Sequence, residues 1–373
     1  MSISLILSST PNTYGVWRGT LDLQNKRAVP ILYGAFGSCT SSAFLYSPRI
    51  VFTAAHVLYE GDDRKIKPTK VRSTVWVGKP GEAVTTYSSR VASEKIFTPS
   101  NFVARDLWNG GSTITRQNDF AVIVLSEPLP VDDKRVELLT PGLHEKYIEN
   151  REKISLTGYG YQTINDHGKC NENRLPTSFT STVISKTFQA GNQRWTTTLN
   201  TQVEGNQPNM CDGDSGSGYV KISENGYTYL GASGAGSYWN HNCENYLPAL
   251  YQTTTNAADP VYLFLDLIAQ AEKYLEASQA AAELKAKQES ELKAEAELKA
   301  KQDAEEAAIK AAAELKAKLE AEAIATAMEK ARQEADAKAA ASKKSTVICL
   351  KGKVVKRITG KKPKCPSGFK LKK

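Results

Sequence analysis

The chain has 373 residues and a formal net charge of +8, but that charge is unevenly spread. Residues 1–269 carry 24 basic and 24 acidic side chains, residues 270–342 carry 12 and 16, and residues 343–373 carry 12 basic and none acidic. The basicity belongs to the tail, which argues against a nucleic-acid-binding role for the whole molecule, and no run of 18 apolar residues occurs that would predict a membrane-spanning helix.

The length suggests two or three units. The first stretch, residues 1–13, reads as an extension or the remnant of a propeptide. Met1–Thr10 lacks a basic n-region and has a very short apolar core, a poor secretory signal. Six cysteines are few for this length, yet their positions suggest pairing. Cys349 and Cys365 bracket the tail, and Cys211 and Cys243 flank a Gly-rich stretch. Such pairing favours an oxidising compartment, so a secreted or cell-surface protein is expected.

Between residues 14 and 258, short β-branched and aromatic segments alternate with Gly, Pro, Asn and Asp. They predict strands at 28–33, 42–46, 49–53, 71–77, 120–125, 153–156, 181–186, 195–199, 218–222 and 227–232. Many short strands without helical periods predict an antiparallel sandwich or barrel.

Three stretches carry chemistry. In Val51-Phe52-Thr53-Ala54-Ala55-His56 a strand runs through two small residues into a histidine, the side chain best suited to general base work at neutral pH. The other histidines, His144, His167 and His241, sit in polar, turn-like surroundings and are expected at the surface. Asp119 opens the apolar run Phe120–Leu125. A carboxylate at the edge of a buried strand needs a partner, which an imidazole would supply; an ordinary turn aspartate is the plainer reading. The third stretch is Cys211-Asp212-Gly213-Asp214-Ser215-Gly216-Ser217-Gly218. A serine nucleophile needs a base and backbone N–H groups aimed at the developing oxyanion, and glycine permits the close approach. Ser215 is the candidate nucleophile, with Gly213 and Ser215 as candidate oxyanion donors; a Gly-rich turn between strands is the alternative.

In this order, Thr53-Ala54-Ala55-His56, Asp119-Phe120-Ala121-Val122 and Gly213-Asp214-Ser215-Gly216 resemble the marks of the chymotrypsin-like, trypsin-fold serine peptidases. Gly158-Tyr159-Gly160 and Pro248-Ala249-Leu250-Tyr251 add to the resemblance, which spans roughly residues 14–270. It implies an all-β double six-stranded antiparallel barrel over 14–275. It also implies endopeptidase activity on protein or peptide substrates without cofactor or metal, with His56, Asp119 and Ser215 as the catalytic residues. The family's mechanism is carried over to these positions. By the same resemblance Cys211–Cys243 is a disulfide beside the specificity pocket. Asn209, with Met210 next to it, lies at the pocket base, Gly234 or Ala235 lies on its wall, and Ala249 narrows it. An uncharged base predicts a medium-sized, non-basic residue before the scissile bond.

Two departures stand out. Val57 occupies the place of a family cysteine, leaving Cys39 either a free thiol or paired with Cys170. Asp214 corresponds to the partner of a freed N-terminal amine, but no Ile-Val-Gly-Gly start is present. The alternative is therefore a surface binding or adhesion protein with an inactive or latent protease-like head.

Asp259-Pro260 reads as a helix cap and first turn, and the apolar stretch 261–275 as the helix that closes such a domain. Residues 276–342 are rich in Ala, Glu, Lys and Leu, and neither Gly nor Pro occurs from Val261 to Lys351. Leu284, Leu292, Leu298, Ile309, Leu315 and Leu319 are too irregularly spaced for a good coiled-coil seam. A solvated helical stalk of about 110 Å is favoured over an oligomerising coiled coil. In residues 343–373 two short strands around a Gly turn are expected, stapled by Cys349–Cys365. Two cysteines are too few for a zinc site. This basic module weakly resembles Lys-rich Cys-pair segments that end some actinobacterial surface proteins. Its charge suits anionic cell-wall polymers, lipid headgroups or nucleic acid without sequence specificity; a solubilising tail with no partner is the alternative.

Overall fold

Short apolar runs between residues 28 and 125 fold, in the computed structural model, into one closed barrel. The structure describes residues 13–14, 16, 19–33, 39–60, 70–84, 89–107, 113–160, 174–190, 193–195, 199–204, 208, 210, 213–236 and 253–373. At 13–14, 39–40, 103–107, 113–116, 188–190, 193–195, 204, 235–236 and 253–257 it describes the backbone only. The barrel strands are β1 (Ala28–Tyr33), β2 (Cys39–Ser47), β3 (Ile50–Thr53), β4 (Trp76–Val77), β5 (Val91–Phe97) and β6 (Ala121–Leu125). Their order is β6-β3-β2-β1-β4-β5, and antiparallel pairing of β5 with β6 closes the ring. Every residue of β3 and β6 is buried, as their runs of Val, Ile, Leu and Phe require.

The second half contributes β7 (Arg135–Leu138), α1 (Pro141–Glu149), β8 (Lys153–Gly158), β9 (Thr177–Ser185), β10 (Leu199–Glu204), β11 (Gly218–Ser223), β12 (Gly226–Gly236) and β13 (Thr253–Pro260). Six of these run β12-β11-β8-β9-β10-β13 and close through β12–β13. β7 pairs in parallel along the outside of β12. Two six-stranded antiparallel barrels, the fold class expected, are thus present. Thr140 caps α1 by accepting the Leu143 N–H, with Pro141 at the first helical position.

An aromatic seam joins the barrels. Phe52 of β3 lies 4.6 Å from the Tyr46 ring, 5.3 Å from Phe120 and 5.1 Å from Tyr229 of β12. Phe120 in turn stacks on Phe264 at 4.8 Å. Burying each such ring contributes about 2–3 kcal/mol. The connection between barrels is pinned by Arg27, whose guanidinium donates to the Asp132 carboxylate and to the carbonyls of Leu45, Tyr46, Asp132 and Lys134.

Several expectations need correction. The predicted strand at 71–77 is two short pieces, Lys70–Val71 and Trp76–Val77. The predicted strand at 195–199 divides between a hairpin strand, Gln193–Trp195, and the start of β10. Asp259-Pro260 ends β13 and also leads directly into the helical segment: Pro260 is the N-cap of a 3-10 turn over Val261–Phe264, which runs on into α2, the helix Leu265–Ser342. The aspartate is held by the strand ladder, opposite Ala232, and its side chain is used elsewhere. His144 is fully buried, not superficial, because α1 turns it towards Tyr262. His167 and His241 lie outside the described residues.

The chain divides into two compact units, Met1–Ala281 and Ala282–Lys373. In the first, the start of α2 packs on the opening barrel: Tyr274 and Ser278 donate to Glu94, and Ile268 and Ala271 are buried. In the second, Leu284, Leu292, Leu298, Ile309, Leu315 and Leu319 are all exposed. There β14 (Ser345–Lys351) and β15 (Val354–Gly360) form a hairpin turning at Gly352, whose φ of 58° suits glycine. β16 (Lys370–Leu371) pairs with β14, and the Cys349–Cys365 disulfide is formed. Lys351 and Lys356 sit over the Phe369 ring.

Among the described residues no helix is long and apolar enough to cross a membrane.

Candidate active site

The antiparallel register of β3 and β6 sets Ala121 opposite Thr53. His56, three residues beyond Thr53, lies in a 3-10 turn anchored by buried Val57 and Leu58. Asp119, two residues before Ala121, is therefore delivered alongside it. Asp119 Oδ1 accepts the His56 backbone N–H at 2.8 Å, and Oδ2 lies 2.8 Å from His56 Nδ1. Both side chains are nearly excluded from water, at 9% and 4% exposure. A carboxylate only accepts, so Nδ1 carries a proton, and in the neutral ring Nε2 is the acceptor.

The peptide leading into Asp119 is also held. Asn118 has φ 56°, and the Asp119 N–H donates to Asp259 Oδ2 at 2.8 Å. Burial, reinforced by the Asp119 charge, pushes the Asp259 carboxyl up to about 7. On the other side, a Cβ on Gly234 would lie 2.6 Å from Asp119 Oδ2, so only glycine lets β12 approach this carboxylate.

The Ser215 loop is fixed by its carbonyls. Ser42 Oγ donates to Gly213 O, Ser233 Oγ to Asp214 O, and both Ser41 Oγ and the Ser42 N–H to Ser215 O. Gly213 and Gly216 have φ of 89° and 85°, a region costly for side-chain-bearing residues. A Cβ on Gly216 would fall 2.1 Å from Thr53 Oγ1, 2.3 Å from Ser42 O and 3.1 Å from Ala54 N. The loop thus packs directly against the segment that ends at His56. Among the described residues no acceptor meets the N–H groups of Gly213 and Ser215.

Asp214 is fully buried and accepts the Gly160 N–H at 2.8 Å. Gly158 and Gly160 wrap so closely that a Cβ on either would strike its carboxylate. Tyr159 between them donates its N–H to Ser42 Oγ, and burial raises its phenol above the usual range.

Of the expected pocket residues, Met210 is buried, with its sulfur accepting from the Tyr219 hydroxyl at 3.1 Å. Gly234 lies against Asp119, and Ala235 pairs with Ala257 in the β12–β13 ladder. Asn209, Ala249, Cys211, Cys243 and Cys170 lie outside the described residues, as does the Cys39 side chain. Sequence reasoning passed over Ser41, Ser42, Ser233 and Asp259; serines within strands and an Asp-Pro step carry no pattern that marks them. Among the described residues no group of three or more His, Cys, Asp or Glu side chains is placed to hold a metal.

No curated protein matches the chain. The family model described as Trypsin matches residues 9–261, well over half of the chain and both barrels. With that match and the paired barrels, the chain belongs to the trypsin-like serine protease family.

Proposed function

We propose that the protein is a secreted serine endopeptidase acting through Ser215, His56 and Asp119. The observation that carries this reading is the commitment of both Asp119 oxygens to His56 beside a serine loop packed on the same strand. His56 Nε2 takes the Ser215 proton as the hydroxyl attacks a peptide carbonyl. Asp119 holds the tautomer and stabilises the imidazolium. The N–H groups of Gly213 and Ser215 receive the oxyanion, each such donor being worth about 10²–10³ in rate. The protonated His56 then donates to the leaving amine, and water hydrolyses the acyl-enzyme. The uncharged Asn209 supports a non-basic residue before the scissile bond. The Cys349–Cys365 bridge supports export to an oxidising compartment. The unopposed basic charge of residues 343–373 supports retention on an anionic cell-wall polymer, with α2 as a spacer.

A fluorophosphonate probe tests the reaction. Mature wild-type protein is expected to label at Ser215, and Ser215→Ala is expected to remain unlabelled. Equal labelling of the two proteins sinks the peptidase reading and leaves a binding protein with a protease-like head. Free thiols at Cys349 and Cys365 in protein isolated from its source would contradict export.

A further inference from the structure

Asp259 stands at the end of β13, in the second barrel, yet its carboxylate serves the first. Its Oδ2 accepts the Asp119 N–H at 2.8 Å, and the Asn118 backbone N–H acts on it in the same sense. Asn118 is left-handed, with φ 56°, a conformation that asparagine tolerates better than most residues. Successive backbone N–H groups that converge in such a turn make a small concavity for an anion. Here the anion is a side chain of the same molecule. The Asp119 side chain gives both oxygens to His56, and its backbone N–H is held separately, by Asp259.

We propose that Asp259 is a positioning residue for the reaction. It accepts the Asp119 N–H to fix the turn that delivers Asp119, and in its ionised form its charge favours the imidazolium form of His56. The inference rests on the peptidase reading of His56, Asp119 and Ser215. A clamp alone would be better made by an amide oxygen, which accepts the same bonds without setting a second carboxylate beside the first. Burial and the charge of Asp119 oppose ionisation of Asp259, while the backbone N–H groups directed at it favour the charged form. Among the described residues the ionisable group whose charge acts on it is Asp119, which in turn is bonded to His56.

Asp259→Asn keeps an acceptor oxygen and removes the charge; Asp259→Ala removes both. In full-length protein carrying Ser215→Ala, the NMR titration of the His56 ring is expected to move to lower pH with either substitution. With Ser215 intact, Asp259→Ala should lower fluorophosphonate labelling by about 10²-fold, and with a peptide substrate kcat rather than KM should carry the loss. Asp259→Asn should recover most of that rate at alkaline pH, with the acid limb of its profile displaced downward. An unmoved His56 titration in folded Asp259→Asn, or wild-type labelling by Asp259→Ala, overturns the proposal. If wild type itself does not label, the peptidase reading falls instead, and the titration still decides whether Asp259 acts on His56.

Discussion

His144 gives the fold a built-in acid weakness. It is fully buried on α1, its Nδ1 lies 3.2 Å from the Tyr262 hydroxyl, and its Nε2 meets no partner among the described residues. Burial, aided by the Lys186 ammonium and only partly opposed by Glu145, lowers its pKa from 6.5 to about 4. The unfolded chain titrates near 6.5 and so binds more protons than the folded one across this window. Stability therefore falls as pH drops below about 6.5, and the loss is complete below about 4. A gap of this size corresponds to about 3 kcal/mol. Water reaching the charged ring on relaxation reduces this to about 2–3 kcal/mol. His144→Phe removes the titrating group and keeps a ring against Tyr262. Urea unfolding of both proteins at pH 7.5 and 4.5 is the assay. The variant should gain about 2 kcal/mol on wild type between the two conditions. A stability difference that stays constant with pH refutes the reasoning, because it would mean that His144 titrates alike in folded and unfolded chains.

Gly216→Ala must fit a methyl against Ser42 O and Thr53 Oγ1 at a φ of 85°, so a loss of about 3 kcal/mol and of probe labelling is expected in urea unfolding and labelling assays. Unchanged stability would contradict the packing of the loop on the first barrel. Arg27→Met removes the donor to Asp132 Oδ1 and to four carbonyls, leaving, among the described residues, only the Tyr227 hydroxyl on the carboxylate, and should cost about 3–5 kcal/mol, read as a lower unfolding midpoint. Replacing Cys349 and Cys365 by serine opens a loop of 16 residues and should weaken the C-terminal hairpin by about 3 kcal/mol. Limited proteolysis should then cut residues 343–373 faster, with the unfolding midpoint of the first unit unchanged.

The strands that carry His56 and Asp119 were legible because β3 and β6 are unbroken apolar runs, buried along their whole length. Other elements were hidden by their composition. β13 reads Thr-Thr-Thr-Asn-Ala-Ala-Asp-Pro, with no apolar alternation, and forms because β10 and β12 pair with it on both sides. β5 carries Ser, Glu and Lys and looks like a surface turn until β6 and β4 flank it. His144 was misread because its burial depends on Tyr262, 118 residues further on. Asp-Pro is at once a strand end and the entry to the helical segment, and only the second role could be read without the β12 ladder.

The seam held by Ser42 has a consequence for timing. Its hydroxyl donates to Gly213 O and accepts from the Tyr159 N–H, its own N–H reaches Ser215 O, and its carbonyl receives the Thr53 hydroxyl. One small side chain and its peptide thus connect four segments spread over more than 170 positions. A growing chain has no finished serine loop after the first barrel has folded, nor when the loop itself emerges. The loop's bonds come from Ser41 and Ser42 in the first barrel and from Ser233 in β12, so they are complete only once both are in place. Whatever chemistry Ser215 performs is withheld until nearly the entire double barrel has been made, so half-built copies are poorly equipped to cut one another.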